Sequence, residues 1–264
     1  MRDIRLTIVQ MKSLVGNPDH NLEEMERHIM EHTDSDIICF PEMCLSGYST
    51  SEPERFALES DNPYVSELRR LARGTDTAIV FGYIEKFESL LILRQMVIDS
   101  NGAAGIYCKT HLGSDEAKFF SAGEKIPVFN VKGVCLGLEL CVESHIPDIS
   151  QTLRSKGAEL VLIPFSTGIT GDKRKEVWHS YLPARASDNG MFVAACSSVG
   201  DNGLGTVFGG GLIALDPKGR VINEYYGTDE HAITVQIGGK LPRDGPETMK
   251  NISYFDRRRP ELYR

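Results

Sequence analysis

An α/β domain of two β-sheets packed together, with helices covering their outer faces, is the architecture the sequence predicts. Strand-length runs of β-branched and apolar residues are numerous, and helical segments fall between only some of them. No internal repeat, low-complexity tract or Pro/Gly/Ser linker divides the 264 residues, so they form a single domain over 1–264. A doubly wound single sheet accommodates a similar list of elements and is the competing architecture.

The elements follow in order. Residues 4–11 form a strand rich in β-branched side chains, and 20–33 carry charges at helical spacing. The apolar strand 36–40 is stopped by Pro41, and 65–72 reads as a helix. Two β runs, 77–84 and 90–99, form a hairpin pair, and a strand over 105–109 follows. A second series has strands at 128–131 and 134–140, a helix near 149–156 and a strand at 160–164. A charged helix over 173–189 leads into a strand at 191–197, and β segments at 209–216, 221–225 and 232–237 finish the core. The tail, 241–264, is polar and arginine-rich, with Pro242, Pro246 and Pro260, and is expected to wrap over the surface or a partner subunit.

Composition narrows the function classes. Hydrophobic residues at 41% and charged residues at 25% are ordinary globular values and exclude wholesale disorder. A net charge of −8 repels phosphate backbones, which argues against a nucleic-acid partner. The longest apolar runs are strand-sized, so no membrane span is expected. Met1-Arg2-Asp3 leads straight into the first strand without a signal-peptide pattern, and a cytoplasmic location is the expectation. Six scattered cysteines (Cys39, Cys44, Cys108, Cys135, Cys141 and Cys196) contain no CxxC pair and read as reduced thiols, most of them packing as small hydrophobes.

Reactive residues of layered α/β folds gather where strands end. Here an acid, an ammonium and a thiol each follow an apolar strand directly: Glu42 after Pro41, Lys109 after Cys108, and Cys141 after Leu140. If those strands are neighbours, the three side chains share a pocket. A thiol of pKa ~8.5 is mostly protonated at neutral pH and needs a base or a nearby cation to become a nucleophile. Glu42 can take that proton if burial raises its pKa, and Lys109 can stabilise the oxyanion formed at a carbonyl. The backbone N–H of Val142 offers a second oxyanion donor. Against this stands the ordinary reading, in which a strand-end cysteine is a buried hydrophobe, a Glu after Pro starts a turn, and a strand-end Lys is solvated. Spacing alone leaves both readings open.

At these positions the sequence resembles the carbon–nitrogen hydrolase (nitrilase) superfamily. Phe40-Pro41-Glu42 with Gly47-Tyr48 resembles the segment around that family's catalytic glutamate. Tyr107-Cys108-Lys109-Thr110-His111-Leu112, continued by Phe120 and Gly123, is similar to its lysine segment. Glu116 matches a second glutamate that family members keep beside the triad. The run from Gly137 through Cys141-Val142-Glu143 to Pro147-Asp148 resembles the nucleophile segment, with conservative acid exchanges at Glu143 and Asp148. Trp178 with Ala184-Arg185-Ala186, Phe208-Gly209-Gly210, and the tail Asp256-Arg257-Arg258-Arg259-Pro260 extend the likeness over nearly the whole chain. The resemblance implies a four-layer α-β-β-α sandwich of two mixed β-sheets covered by helices. It also implies a Glu42–Lys109–Cys141 triad assisted by Glu116, no metal or organic cofactor, and a homodimer or larger homo-oligomer in which 241–264 lies at a subunit contact.

Departures from the pattern bear on specificity. Glu139 stands where an apolar strand residue is usual; a buried acid is costly unless paired, so pairing with a neighbouring cation is expected, with tuning of the site as the alternative. Val142 replaces an aromatic residue and leaves room beside the nucleophile. Ser144 and His145 occupy positions where some members carry arginines that grip a substrate carboxylate, and serine cannot replace that clamp. Gly211 stands where serine is frequent. With Tyr48 and Ser166, which border the pocket-forming loops, Val142 and His145 are the candidate substrate-binding residues. No metal site is expected, since His145 near Cys141 lacks further ligands at credible spacing. Asn251-Ile252-Ser253 matches a glycosylation sequon by coincidence. The implied activity is hydrolysis of a small-molecule amide through a thioester on Cys141, releasing ammonia and an acid. N-carbamoyl amine or nitrile hydrolysis by the same triad, and a non-catalytic binding protein on this fold, are the alternatives.

Overall fold

In β1 (Ile4–Gln10) every residue but Arg5 is buried, as in a strand covered on both faces. The chain then climbs through α1 (Pro18–Glu31), which Asn17 caps by accepting from His20 N, with Pro18 in the first turn. It returns through β2 (Ile37–Cys39) and the two-residue β3 (Leu58–Glu59). After α2 (Pro63–Thr75), again opened by an Asn cap and a proline, come β4 (Ala78–Phe87), β5 (Leu90–Ile98) and β6 (Ala104–Cys108). The second half carries β7 (Val128–Val131), β8 (Val134–Leu138), α3 (Pro147–Ser155), β9 (Leu160–Phe165), α4 (Gly171–Asn189) and β10 (Phe192–Ser197). It ends with β11 (Val199–Asp201), β12 (Val207–Gly209), β13 (Leu212–Leu215), β14 (Val221–Tyr225) and β15 (His231–Ile237). The structure, a computed structural model, describes residues 1–238 and 254–262. Most of the tail expected at a subunit contact, and the sequon at 251–253, lie outside the described residues; 254–262 form two short, largely exposed 3-10 turns.

One sheet has the order β15-β1-β2-β4-β5-β6, with β3 paired to β4, and the other β14-β13-β10-β9-β8-β7. Both are mixed. From β15 to β6 the pairings run antiparallel, parallel, parallel, antiparallel, antiparallel, and the same succession runs from β7 to β14. The fold is thus duplicated although no repeat is visible in the sequence. Two sheets face each other through Leu6, Ile8 and Val80 on one side and Leu136, Leu162 and Ala194 on the other. Met25, Ile29 and Leu68 of α1 and α2 cover Ile38, Ile79 and Phe81 on the first sheet's outer face. Leu153, Trp178 and Leu182 of α3 and α4 cover Val161, Ile163 and Val193 on the second. The arrangement is the four-layer α-β-β-α sandwich, and it excludes the doubly wound single sheet. Burying each such side chain is worth about 1.5–3 kcal/mol, so these three apolar layers carry the fold.

Two predicted elements are corrected. Residues 209–216 are not a continuous strand: Gly210 (φ 72°) and Gly211 (φ 126°) break it. What precedes the break, β12, pairs with β11 in a separate two-stranded arm. The strand expected over 134–140 ends at Leu138, although Glu139 N still donates to Leu162 O at 3.2 Å. Among the described residues no helix is long and apolar enough to cross a membrane.

Candidate active site

After β2 the chain turns at Pro41. Phe40 N donates to Val80 O at 2.8 Å and Leu45 N to Gly82 O at 3.0 Å, which fastens this turn to β4. Glu42 is thereby directed inward, with 1% of its surface exposed. Ser166, just past β9, donates from Oγ to the Glu42 carbonyl at 2.8 Å and lies 2.8 Å from Ser198 Oγ. A hydroxyl of the second sheet thus holds the backbone of an acid from the first.

Lys109 continues the end of β6, its N–H donating to Leu93 O at 3.0 Å. Its buried ammonium donates to Glu42 Oε1 and to Glu116 Oε1, each at 2.7 Å. Glu116 opens a 3-10 turn and is itself held, Oε2 by Gly113 N at 2.6 Å and Oε1 by Tyr48 OH at 3.0 Å. The supposition that strand neighbours bring these groups together is not met, because β4 and β5 separate β2 from β6. The turn that carries Glu42, fastened to β4, and the Lys109 side chain together close the gap instead. Burial drives the Glu42 carboxyl up to about 7, Lys109 pulling against it and Glu116 adding to it. Burial disfavours the Lys109 charge, but Glu42, Cys141 and Glu116 outweigh it and hold the ammonium above its usual range.

Cys141 begins a 3-10 turn, Cys141–His145, and stands in the left-handed region with φ 48°. A non-glycine residue there is strained and persists only when its surroundings fix it. Those surroundings are visible. Glu143, fully buried, accepts from Leu140 N at 2.7 Å through Oε2. Its Oε1 accepts from Tyr107 OH at 2.7 Å, Thr110 N at 2.8 Å, Thr110 Oγ1 at 2.6 Å and His111 N at 3.1 Å. One carboxylate therefore ties the cysteine turn to the loop that begins at Lys109. On the other side Ser144 Oγ donates to Cys141 O at 2.6 Å and lies 3.0 Å from Tyr181 OH, while Arg185 Nε donates to Ser144 O at 2.9 Å. Burial pushes the Cys141 thiol up to about 12, Glu42 adding to the rise and Lys109 opposing it. The resting thiol is protonated, beside a carboxyl poised near neutrality.

The remaining expected residues are placed as follows. Tyr48 reaches Glu116 and Ser166 reaches the Glu42 backbone, so each braces an acid. Val142 is half-buried next to the thiol, and His145 is exposed with its ring 4.2 Å from that of Tyr181. Among the described residues no cation lies within ion-pair distance of Glu139; Arg185 acts on it only from farther away. Ser150 Oγ donates to Glu139 Oε1 at 2.5 Å, Oε2 has no hydrogen-bond partner, and burial raises this carboxyl to about 8. Its burial is accommodated by neutrality rather than by an ion pair. Glu143 stands in the sequence as a conservative acid exchange, and its bridge between the two loops is a structural finding. For Glu143 the available signal was an acid three residues past a strand end, where it can accept from the backbone it follows.

The Carbon-nitrogen hydrolase family model matches residues 5–240. The chain is 30% identical over 236 residues to an (R)-stereoselective amidase of a Pseudomonas species, covering 89% of this chain and 85% of that protein. Among solved structures it superposes with TM-score 0.81 and 26% identity on a cysteine-to-alanine variant of the amidase from Nesterenkonia sp. AN1 in complex with butyramide, covering 98% of this chain and 95% of that one. A glutamate-to-leucine variant of the same amidase shows covalent addition of the acetamide moiety of fluoroacetamide at the active-site cysteine. It matches with TM-score 0.82 and 25% identity over 98% of this chain and 95% of its own. With its two-sheet sandwich and a buried acid–ammonium–acid cluster beside a strained cysteine turn, the chain belongs to the carbon–nitrogen hydrolase family, as an amidase-like member of the nitrilase superfamily.

Proposed function

We propose that the protein hydrolyses a small primary amide through a thioester on Cys141, with Glu42, Lys109 and Glu116 as its catalytic partners. The observation that carries this reading is the buried Lys109 ammonium, 2.7 Å from both Glu42 and Glu116, in a cluster whose charges act on the Cys141 thiol. Ionised Glu42 takes the thiol proton and Sγ bonds to the amide carbon. The oxyanion is stabilised by Lys109 and the Val142 N–H. Glu42 returns its proton to the nitrogen, the C–N bond breaks and ammonia leaves. Water then attacks the thioester with Glu42 again as base, and the carboxylic acid and the free thiol are released. Glu116 shares the ammonium and fixes its direction. A thiol at about 12 needs this arrangement, since a bulk hydroxide route leaves it inert at neutral pH.

Ammonia release from a panel of amides, carbamoyl amines and nitriles, paired with intact-protein mass spectrometry, tests the reading. An acyl adduct on wild-type protein and none on Cys141→Ala is the expected result. Equal turnover by the two proteins overturns it.

A further inference from the structure

The end of α1 places His28, Glu31 and His32 three and four residues apart, on one face of the helix. His28 is 3% exposed, and its Nδ1 is buried without a hydrogen-bond partner. That nitrogen faces Glu31 Oε2 at 4.0 Å, too far for a hydrogen bond. His32 Nδ1 lies 2.8 Å from His28 O. A carbonyl only accepts, so this nitrogen carries the proton and Nε2 of His32 keeps its lone pair, the arrangement common in metal-binding histidines. One ligand atom from each of the three side chains lies within 4.8 Å of the others.

The surroundings favour a further positive charge. A helix presents its negative end at its last carbonyls. Glu24, Glu31 and Glu230 gather round the single guanidinium of Arg27 at 2.8, 3.2 and 3.1 Å, so three carboxylates share one cation. Arg27 Nη2 also lies 3.2 Å from His28 Nε2. A guanidinium only donates, so Nε2 accepts and the neutral ring holds its proton on the unpartnered Nδ1. A metal ion bound at Nδ1 displaces that proton to solvent while Nε2 takes one up, and the ring stays neutral. Arg27, whose side chain is 40% exposed, then leaves Nε2 and keeps Glu24 and Glu230. The His28 ring meets Phe40 edge-on at 6.4 Å, two residues before Glu42, so the site backs onto the segment that enters the catalytic turn.

We propose that His28, Glu31 and His32 form a binding site for a divalent transition-metal ion of the zinc class, with water completing the coordination, and that the ion pins the last turn of α1. Two imidazoles and a carboxylate suit zinc better than magnesium or calcium, which prefer oxygen ligands alone. Ligand atoms on a tetrahedral zinc stand about 3.4 Å apart, so the surface side chains of Glu31 and His32 need to close by at most about 1.5 Å. The expectation of no metal came from His145 beside the nucleophile, and this set lies in a different element. The site does not depend on the amidase reading.

The test titrates chelator-stripped full-length protein with Zn²⁺, and separately with Mg²⁺, by calorimetry. The Cys141→Ala background is used, so that the nucleophile takes no metal. The expected result is one Zn²⁺ per chain and no Mg²⁺, with Zn²⁺ binding weakened about 30-fold or more in His32→Gln and in Glu31→Gln. These two positions are at the surface, so the variants fold even if replacing His28 does not allow it. Zn²⁺ is also expected to raise the melting temperature of the His32 protein and to leave that of His32→Gln unchanged. No Zn²⁺ binding, binding of equal strength in His32→Gln, or Mg²⁺ bound as tightly as Zn²⁺ overturns the proposal.

Discussion

Glu143 Oε1 accepts from Thr110 N at 2.8 Å, so the residue after Lys109 is fastened to the turn that starts at Cys141. The two loops come from different sheets, and this carboxylate bridges them. Replacing it strands buried donors on both, at about 1–3 kcal/mol each. Glu143→Ala is expected to lose several kcal/mol of stability in urea unfolding. Glu143→Gln keeps one acceptor oxygen, and its turnover is expected to drop about 100-fold with a smaller change in stability. Full activity in Glu143→Gln would show that the bridge does not set the geometry.

The backbone of Cys141 leads to a second prediction. At φ 48° any L-residue is disfavoured by on the order of 1 kcal/mol, and glycine is not. Cys141→Gly is therefore expected to unfold at higher urea than Cys141→Ala, while both lack hydrolytic activity. The reverse order of midpoints would mean that the turn is unstrained.

Activity should follow the ionisation of Glu42. Because its carboxyl titrates near 7, kcat/KM is expected to rise through about pH 7 and level off above it. Glu42→Gln removes both the limb and the base, and a loss of 100-fold or more in turnover is expected. A profile flat from pH 5 to 8 in wild type would assign the proton to another group.

Glu139 makes stability depend on pH in the opposite sense from a salt-bridged acid. Its folded pKa is raised from 4.5 to about 8, so the folded state holds the proton more tightly. That contribution is complete below about 4.5 and is lost as pH rises through 8. Glu42 adds a loss of the same sign between 4.5 and about 7. Melting temperature should therefore fall from pH 5 to pH 8.5, and Glu139→Gln, which stays neutral, should flatten the fall. An unchanged slope in that variant would mean that Glu139 ionises without cost.

The local chemistry of this protein was legible in its sequence. Asn17 and Pro18, or Asn62 and Pro63, mark helix starts because the cap and the fixed φ act within a few residues. The strand ends at Glu42, Lys109 and Cys141 were readable for the same reason, and motifs in order gave the family. What depends on distant residues was not readable. The duplicated pairing of the sheets leaves no sequence repeat, since backbone hydrogen bonds do not record side-chain identity. The break at Gly210-Gly211 reads as strand until Arg174 and Trp178 are seen to occupy the space beside it. Only the tertiary structure decided that, among the described residues, Glu139 has no cation and Arg174 no carboxylate within ion-pair distance, and that Glu143 spans two sheets. Burial and long-range pairing fix the energy of a charge, and neither is a property of its neighbours in the chain.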